Sequence, residues 1–179
     1  MIELVVINYE GEFYRNDNHI HLRQNFINDC GIIPTEFVEQ PNKNELIDYL
    51  KDYTPKSNTV VIHFKSHGFG SNGICQKHPT IENSGQKESF IAWTELVQAL
   101  NVLSEKCDKL YVNLGTVCNS INIVNCGLSM NFDALVTSDE VTDPVLPRQY
   151  NKQLISGMNV MDLRSAYRVL HKNCIAPNY

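Results

Sequence analysis

The chain has no concentrated patch of positive charge. Its 15 lysine and arginine residues are scattered along 179 positions, and the formal net charge at pH 7 is −5. Proteins that bind nucleic acid or anionic membranes cluster their basic side chains, because neutralising many phosphates supplies much of the affinity. The composition therefore argues against nucleic acid and membrane surfaces as partners.

Long apolar runs and low-complexity segments are also absent. The run Leu4-Val5-Val6-Ile7 is too short to span a bilayer, and no basic residues precede it as they would in a secretory signal. A cytoplasmic protein is therefore expected. With 42% apolar residues, the chain is predicted to form a single domain over 1–179.

The cysteines lack the spacing of a metal site or a disulfide framework. They are spread along the whole chain without secretory context, so reduced thiols are expected. His63 with nearby thiols is the one hint of zinc, but no cysteines are paired at zinc-ligand spacing. Neither a metal nor another cofactor is predicted. The six positions are Cys30, Cys75, Cys107, Cys118, Cys126 and Cys174.

The sequence contains alternating strand and helix patterns. This alternation predicts an α/β domain with a mostly parallel five-stranded sheet and helices on both faces. The tail from Cys174 onward is predicted to contain no sixth strand. The second helix is expected to begin at Asn42 or Asn44 and the third at Thr94. The strands are predicted at 4–9, 32–39, 59–64, 109–117 and 133–138, and the helices at 19–30, 42–53, 94–107, 119–126 and 161–171.

Two reactive side chains follow two of these strands. His67 comes after the third strand, where Gly68 and Gly70 are expected to form tight turns, and Cys118 comes directly after the fourth strand. Neighbouring strands lie about 4.8 Å apart, and sites in such sheets form beyond the carboxyl ends of the strands. The sequence therefore predicts a thiol and an imidazole placed as a nucleophile and its base.

Each residue also has a plainer interpretation. A single cysteine is more often buried in a core than reactive, and a histidine beside glycines is more often a turn residue. The strand pattern alone also fits a flavodoxin-like or response-regulator-like binding domain. That class would leave the histidine segment without a purpose, and the chain has no glycine-rich phosphate loop after its first strand.

The segments Ser66-His67-Gly68 and Val117-Cys118-Asn119-Ser120 resemble the two active-site blocks of the caspase-like cysteine peptidases. This group includes caspases, metacaspases and bacterial CHAT domains, and the cysteine block is closer to the CHAT form. The first strand and the stretch 133–170 are similar to the same family, so the resemblance covers nearly the whole chain. It implies a caspase-like three-layer sandwich.

The resemblance also implies roles for individual residues. His67 and Cys118 would be catalytic, and the backbone N–H groups of Gly68 and Cys118 would form the oxyanion hole. Thr116, Asp139 and Glu140 would line the substrate pocket. The two acidic residues would favour arginine or lysine before the cut bond, whereas Arg15 in the first loop would favour the opposite preference.

The chain departs from caspases in three respects. The caspase pentapeptide around the cysteine is replaced by Thr116-Val117-Cys118-Asn119-Ser120, so a caspase preference for aspartate is not expected. About fifteen residues separate Cys118 from the fifth strand, which leaves little of the linker that caspases cut. The lack of a predicted sixth strand argues against a caspase-style homodimer.

The resemblance implies one of two functions. The first is a cysteine endopeptidase that cleaves a protein or peptide substrate in a bacterial defence or cell-death pathway. The alternative is a catalytically inactive caspase-like fold that serves as a protein-binding or scaffold module. The segment 71–88 beside the histidine is predicted to form a small hairpin or a mobile loop that returns through 89–93. A mobile loop there predicts an activating partner protein that orders the site.

Overall fold

A computed structural model of the chain describes residues 2–9, 35–39, 41–76, 89–139 and 174–175. The helices predicted at 19–30 and 161–171 lie outside these ranges. The elements in chain order are β1 (Ile2–Tyr9), β2 (Glu36–Glu39), α1 (Lys43–Asp52), β3 (Thr59–Phe69), β4 (Gly73–Cys75), β5 (Phe90–Ala92), α2 (Trp93–Ser104), β6 (Lys109–Asn113), the 3₁₀ helix η1 (Ser120–Asn125), β7 (Ala134–Val136) and β8 (Cys174–Ile175).

The main sheet has the strand order β2-β1-β3-β6-β7-β8. The first five of these strands are parallel, and β8 is antiparallel to β7. The end of β3 continues into an antiparallel ribbon with β4 and β5. The α/β class is confirmed. The sheet is mixed and not mostly parallel, because β4, β5 and β8 run antiparallel to the strands they pair with.

The strand count was also predicted too low, because five were expected and eight are present in the described ranges. The prediction that the tail contains no further strand is wrong, since Val136 of β7 pairs with Cys174 of β8. The three additional strands, β4, β5 and β8, are only two or three residues long. Segments of that length show no measurable alternation, so they form where a neighbouring strand offers hydrogen bonds.

Strand β3 runs five residues past the predicted end at Phe64. Pairing with β4 keeps His67 and Gly68 extended, opposite Cys75 and Ile74. The predicted tight turn at Gly68 is therefore wrong. The turn begins at Gly70, whose φ of 52° lies in the left-handed region.

The core lies between the sheet and the helices α1 and α2. Every second residue of the central strands faces these helices and is buried, as the two-residue period of a strand requires. The alternate residues Leu4, Val6, Val61 and Tyr111 are buried as well. The central strands are thus covered on both faces. The residues facing α1 and α2 include Val5, Ile7, Val60, Ile62, Phe64, Leu110 and Val112, packed with Leu46, Leu50, Leu96 and Leu100.

The start of α1 agrees with one of the two predicted N-caps, and the start of α2 does not agree with its prediction. The Asn42 side chain accepts a hydrogen bond from the Glu45 N–H at 3.0 Å, and the Glu45 carboxylate accepts one from the Asn42 N–H at 2.8 Å. Helix α2 begins at Trp93, so Thr94 is not its cap. The Glu95 carboxylate instead accepts a hydrogen bond from the Ala92 N–H at 2.9 Å.

The α-helices in the described ranges are short compared with a membrane span. Helix α1 has 10 residues and α2 has 12. None of the described helices is long and apolar enough to cross a membrane.

Candidate active site

Cys118 lies in a turn and not directly at the end of a strand. Strand β6 ends at Asn113, four residues before the predicted end. The Leu114 N–H still bonds the Val136 carbonyl at 2.8 Å, but the Val117 N–H then turns back to the Leu114 carbonyl at 2.9 Å. The apolar sequence of 109–117 predicts a strand that continues through this turn. Leu114 and Val117 are fully buried, but they lie in the turn and not in a strand.

Asn119 carries the chain out of this turn with a left-handed backbone. Its φ is 53° and its ψ is 25°, a conformation that asparagine tolerates better than most residues. The predicted helix at 119–126 is confirmed as the short 3₁₀ helix η1, although the Asn119 side chain makes no cap hydrogen bond to it. Gly127, with φ 78°, follows the helix as predicted.

The histidine segment and the cysteine segment are in direct backbone contact. A Cβ added at Gly68 would lie 1.7 Å from the carbonyl oxygen of Cys118 and 3.1 Å from its nitrogen. Side-chain carbons do not approach backbone atoms to 1.7 Å, so only glycine fits at this position. The structure therefore brings together the two sequence segments that were predicted to meet.

Both candidate side chains are half-buried, which leaves them accessible to a substrate. His67 has a second thiol nearby, because its partner across the β3–β4 pair is Cys75. Cys75 is 3% exposed, and burial raises the pKa of its thiol to about 11. Since the thiolate is the nucleophile, burial disfavours the reactive form of Cys75 at neutral pH.

Two hydroxyl side chains fix the turn around Cys118. The Thr116 hydroxyl donates to the Phe64 carbonyl of β3 at 2.9 Å. The fully buried Ser120 hydroxyl donates to the Leu114 carbonyl at 2.8 Å and accepts from the Ser138 N–H at 2.9 Å. The turn is thus tied to β3 on one side and to the segment after β7 on the other. A substrate role for Thr116 stays a prediction.

A third tie joins the ends of β3 and β6 through two buried polar side chains. His63 and Asn113 are opposite each other in the parallel register, and His63 Nδ1 lies 3.0 Å from Asn113 Nδ2. Asn113 Oδ1 accepts a hydrogen bond from the Gly115 N–H at 2.9 Å. A backbone N–H can only donate, so this bond fixes which end of the Asn113 amide faces His63.

The hydrogen bonds also determine the protonation state of His63. The Asn113 amide nitrogen is a donor only, so Nδ1 of His63 must accept and its proton sits on Nε2. Burial lowers the pKa of His63 to about 4, with a smaller contribution from Lys65. His63 is therefore neutral near pH 7. Its Nδ1 is engaged by Asn113, and no cluster of three metal-ligating side chains occurs within the described ranges.

Asp139, Glu140 and Arg15 are the other residues predicted to influence substrate preference. Asp139 is exposed and lies just after the segment that Ser120 contacts. Glu140 and Arg15 lie outside the described residues. A substrate pocket formed by Thr116, Asp139 and Glu140 stays a prediction.

Sequence reasoning missed Asn113, and it assigned Ser120 to the cysteine block and to the cap of the next helix without its bonds to Leu114 and Ser138. Asn113 is a polar residue within the apolar run 110–114, and that contrast is the signal that could have identified it. His63 was noticed, but its partner depends on the β3–β6 register, in which His63 faces Asn113. A single sequence does not contain that register.

Comparisons with known proteins assign no family. No protein-family model matches the chain, and no curated protein sequence matches it significantly. The caspase-like resemblance consequently stays a prediction that depends on the two segments around His67 and Cys118.

Proposed function

We propose that this protein is a cysteine endopeptidase in which Cys118 is the nucleophile and His67 is the general acid and base. The observation that supports this most strongly is the contact of Gly68 with the Cys118 backbone. It joins the residue after the histidine to the residue that carries the thiol. Both side chains are half-buried, as are Cys107 and Cys126, so burial alone does not single out Cys118.

The proposed reaction has two steps. The Cys118 thiol loses its proton to His67, and the sulfur attacks the carbonyl carbon of the scissile peptide bond. The C–N bond then breaks, His67 returns the proton to the departing amine, and a thioester remains on Cys118. Water attacks the thioester with His67 as base, releasing the carboxylate product and restoring the thiol.

Backbone N–H groups would stabilise the negative oxygen that forms in each step. The proposed donors are the N–H groups of Gly68 and Cys118, whose residues are packed against each other. The fully buried Ser120 and the bond from Thr116 to β3 would keep these donors fixed.

The proposed architecture is a caspase-like three-layer sandwich. The supporting observation is the burial of Leu4, Val6 and Val61, which lie on the face of the sheet away from α1 and α2. A sheet buried on both faces requires a layer on each. The proposed partners are a protein or peptide substrate and an activating protein, in a bacterial defence or cell-death setting.

The proposed substrates carry arginine or lysine before the cut bond, as acidic residues at 139 and 140 would favour. Because Asp139 is exposed, water weakens its attraction for a cation, and the effect expected is a factor of about three in kcat/KM. Asp139→Ala should lose this preference on a peptide library, whereas Glu105→Ala, at an exposed position after α2, should keep it. Unchanged selectivity in Asp139→Ala would contradict this proposal.

The decisive experiment measures the reactivity of individual thiols. Purified protein is treated with iodoacetamide at neutral pH, and labelling is located by mass spectrometry in wild type and His67→Ala. We expect Cys118 to label fastest and the substitution to slow it about tenfold. Cys126, which is also half-buried, is the internal control. Burial raises the pKa of Cys107 to about 11, so slow labelling is expected there in any case. Equal labelling of Cys118 and Cys126, or no effect of His67→Ala, would favour the inactive scaffold instead.

A further inference from the structure

The geometry points to His63 and Asn113 as a positioning pair that sets the Cys118 turn against the His67 strand. His63 lies four residues before His67 on β3, and Asn113 is the last residue of β6. The inference rests on the proposed function, because positioning matters only if His67 acts on Cys118. It assigns a role to two residues that take no part in the proposed chemistry.

The first step of the argument is the cost of burying this pair. His63 is 3% exposed and Asn113 is 2% exposed, in strands whose other buried positions are almost all apolar. A buried polar group destabilises the fold unless it is hydrogen-bonded, so an apolar pair would be the simpler filling. The pair instead provides a directional bond, which fixes where the two strand ends lie relative to each other.

The second step is the position of the bond. Asn113 bonds His63 with its amide nitrogen and the Gly115 N–H with its oxygen. One side chain thus connects β3 to the first residues of the turn that ends at Cys118. Thr116 makes a second bond from the same turn to β3, at Phe64, the residue after His63. Both bonds hold the turn against the strand that carries His67.

The third step is the sensitivity of the chemistry. A displacement of about 1 Å between reacting groups can lower a rate about a hundredfold. Without His63 the turn loses one of its two side-chain bonds to β3, and without Asn113 the Gly115 N–H also loses its acceptor. Loss of the pair should therefore slow Cys118 without any change in the residues that react.

The test compares two substitutions at one position. His63→Leu removes the acceptor, whereas His63→Asn supplies an oxygen near the position of Nδ1 and can still accept from Asn113. We expect His63→Leu to slow Cys118 alkylation about tenfold and to change its pH profile. His63→Asn should keep the wild-type rate and profile. Asn113→Leu, which also removes the acceptor of the Gly115 N–H, should slow Cys118 at least as much as His63→Leu.

A destabilised control separates positioning from general loss of structure. Leu103→Ala empties a fully buried position on α2, away from the turn, and should lower the melting temperature without changing Cys118 alkylation. If His63→Leu behaves like Leu103→Ala, the inference is overturned. If His67→Ala leaves the alkylation rate of Cys118 unchanged, the proposed function itself is contradicted, and with it the positioning role of the His63–Asn113 pair.

A measurement on the wild type tests the pair even if His63→Leu does not fold. The nitrogen-15 spectrum of the histidine ring distinguishes a proton on Nε2 from one on Nδ1. The structure requires Nε2–H at His63, because Nδ1 accepts from Asn113. A proton on Nδ1 at neutral pH would show that the bond does not exist and would overturn the inference.

Discussion

Gly68 is the residue at which the fold and the candidate chemistry depend most closely on each other. We predict that Gly68→Ala destabilises the protein by about 3 kcal/mol and abolishes the reactivity of Cys118, because the new Cβ would overlap the Cys118 carbonyl. Urea unfolding measures the first effect and iodoacetamide labelling the second.

Gly73→Ala is the matched control for this substitution. A Cβ at Gly73 would lie 1.9 Å from the Ile91 carbonyl oxygen, so the overlap is similar but is made with β5. We expect a comparable loss of stability with Cys118 still reactive. Equal labelling of Cys118 in both variants would show that the contact at Gly68 has no bearing on the thiol.

The buried, neutral ring of His63 is expected to make the stability of the protein depend on pH. Its pKa is about 4 in the folded protein and 6.5 when unperturbed, because burial disfavours the charged ring. Between these values the unfolded chain binds a proton that the folded protein does not, so stability falls as pH falls through this window. The loss from about pH 7 to about pH 4.5 is about 2 kcal/mol for this group.

Urea unfolding at these two pH values, in wild type and His63→Asn, checks this prediction. Asparagine does not titrate, so the variant should lose about 2 kcal/mol less than the wild type on acidification. Other groups titrate equally in both proteins and cancel in the comparison. Identical losses would mean that His63 is not buried in the neutral form.

Helix α1 is the element whose boundaries are easiest to predict from sequence. We predict that Asn42→Ala destabilises the protein by about 1 kcal/mol, because Asn42 and Glu45 satisfy each other's backbone N–H groups. Asn44 was the other candidate cap but lies inside the helix, exposed. Asn44→Ala should therefore be neutral in thermal unfolding, and an equal loss in both variants would contradict the assignment.

Other elements show which information the sequence lacks. Strand β1 and helix α1 were predictable because an apolar run and a cap are local signals. The ends of β3 and β6 were not, since β3 is extended by pairing with β4 and the apolar Leu114 and Val117 lie in a turn. The contact between the segments around His67 and Cys118 followed from parallel strands, whereas the His63–Asn113 bond needs the register.

The whole molecule places its candidate chemistry at one end of the sheet and a buried carboxylate at the other. Glu3, near the start of β1, is 1% exposed. Its carboxylate accepts hydrogen bonds from the Tyr53 hydroxyl, from the Lys56 N–H at 2.7 Å and from the Ser57 N–H at 3.2 Å. These bonds attach the connection between α1 and β3 to strand β1.

This separation predicts that stability and reactivity can be changed independently. Glu3→Ala should destabilise the protein by about 3 kcal/mol, because it leaves one hydroxyl and two backbone N–H groups without their acceptor. Glu36→Ala is the matched control, since Glu36 is half-buried and pairs with the exposed Lys56 at 3.4 Å. Such a pair contributes about 0.5 kcal/mol.

Labelling of Cys118 at a temperature where each variant stays folded completes the test. The three bonds of Glu3 act at the amino ends of β1 and β3, while the Cys118 turn is held at their carboxyl ends. Cys118 should therefore label at the wild-type rate in Glu3→Ala despite the lower stability. If it slowed in proportion to the stability loss, Cys118 reactivity would report global packing, and the local ties at Thr116 and Asn113 would not be what positions it.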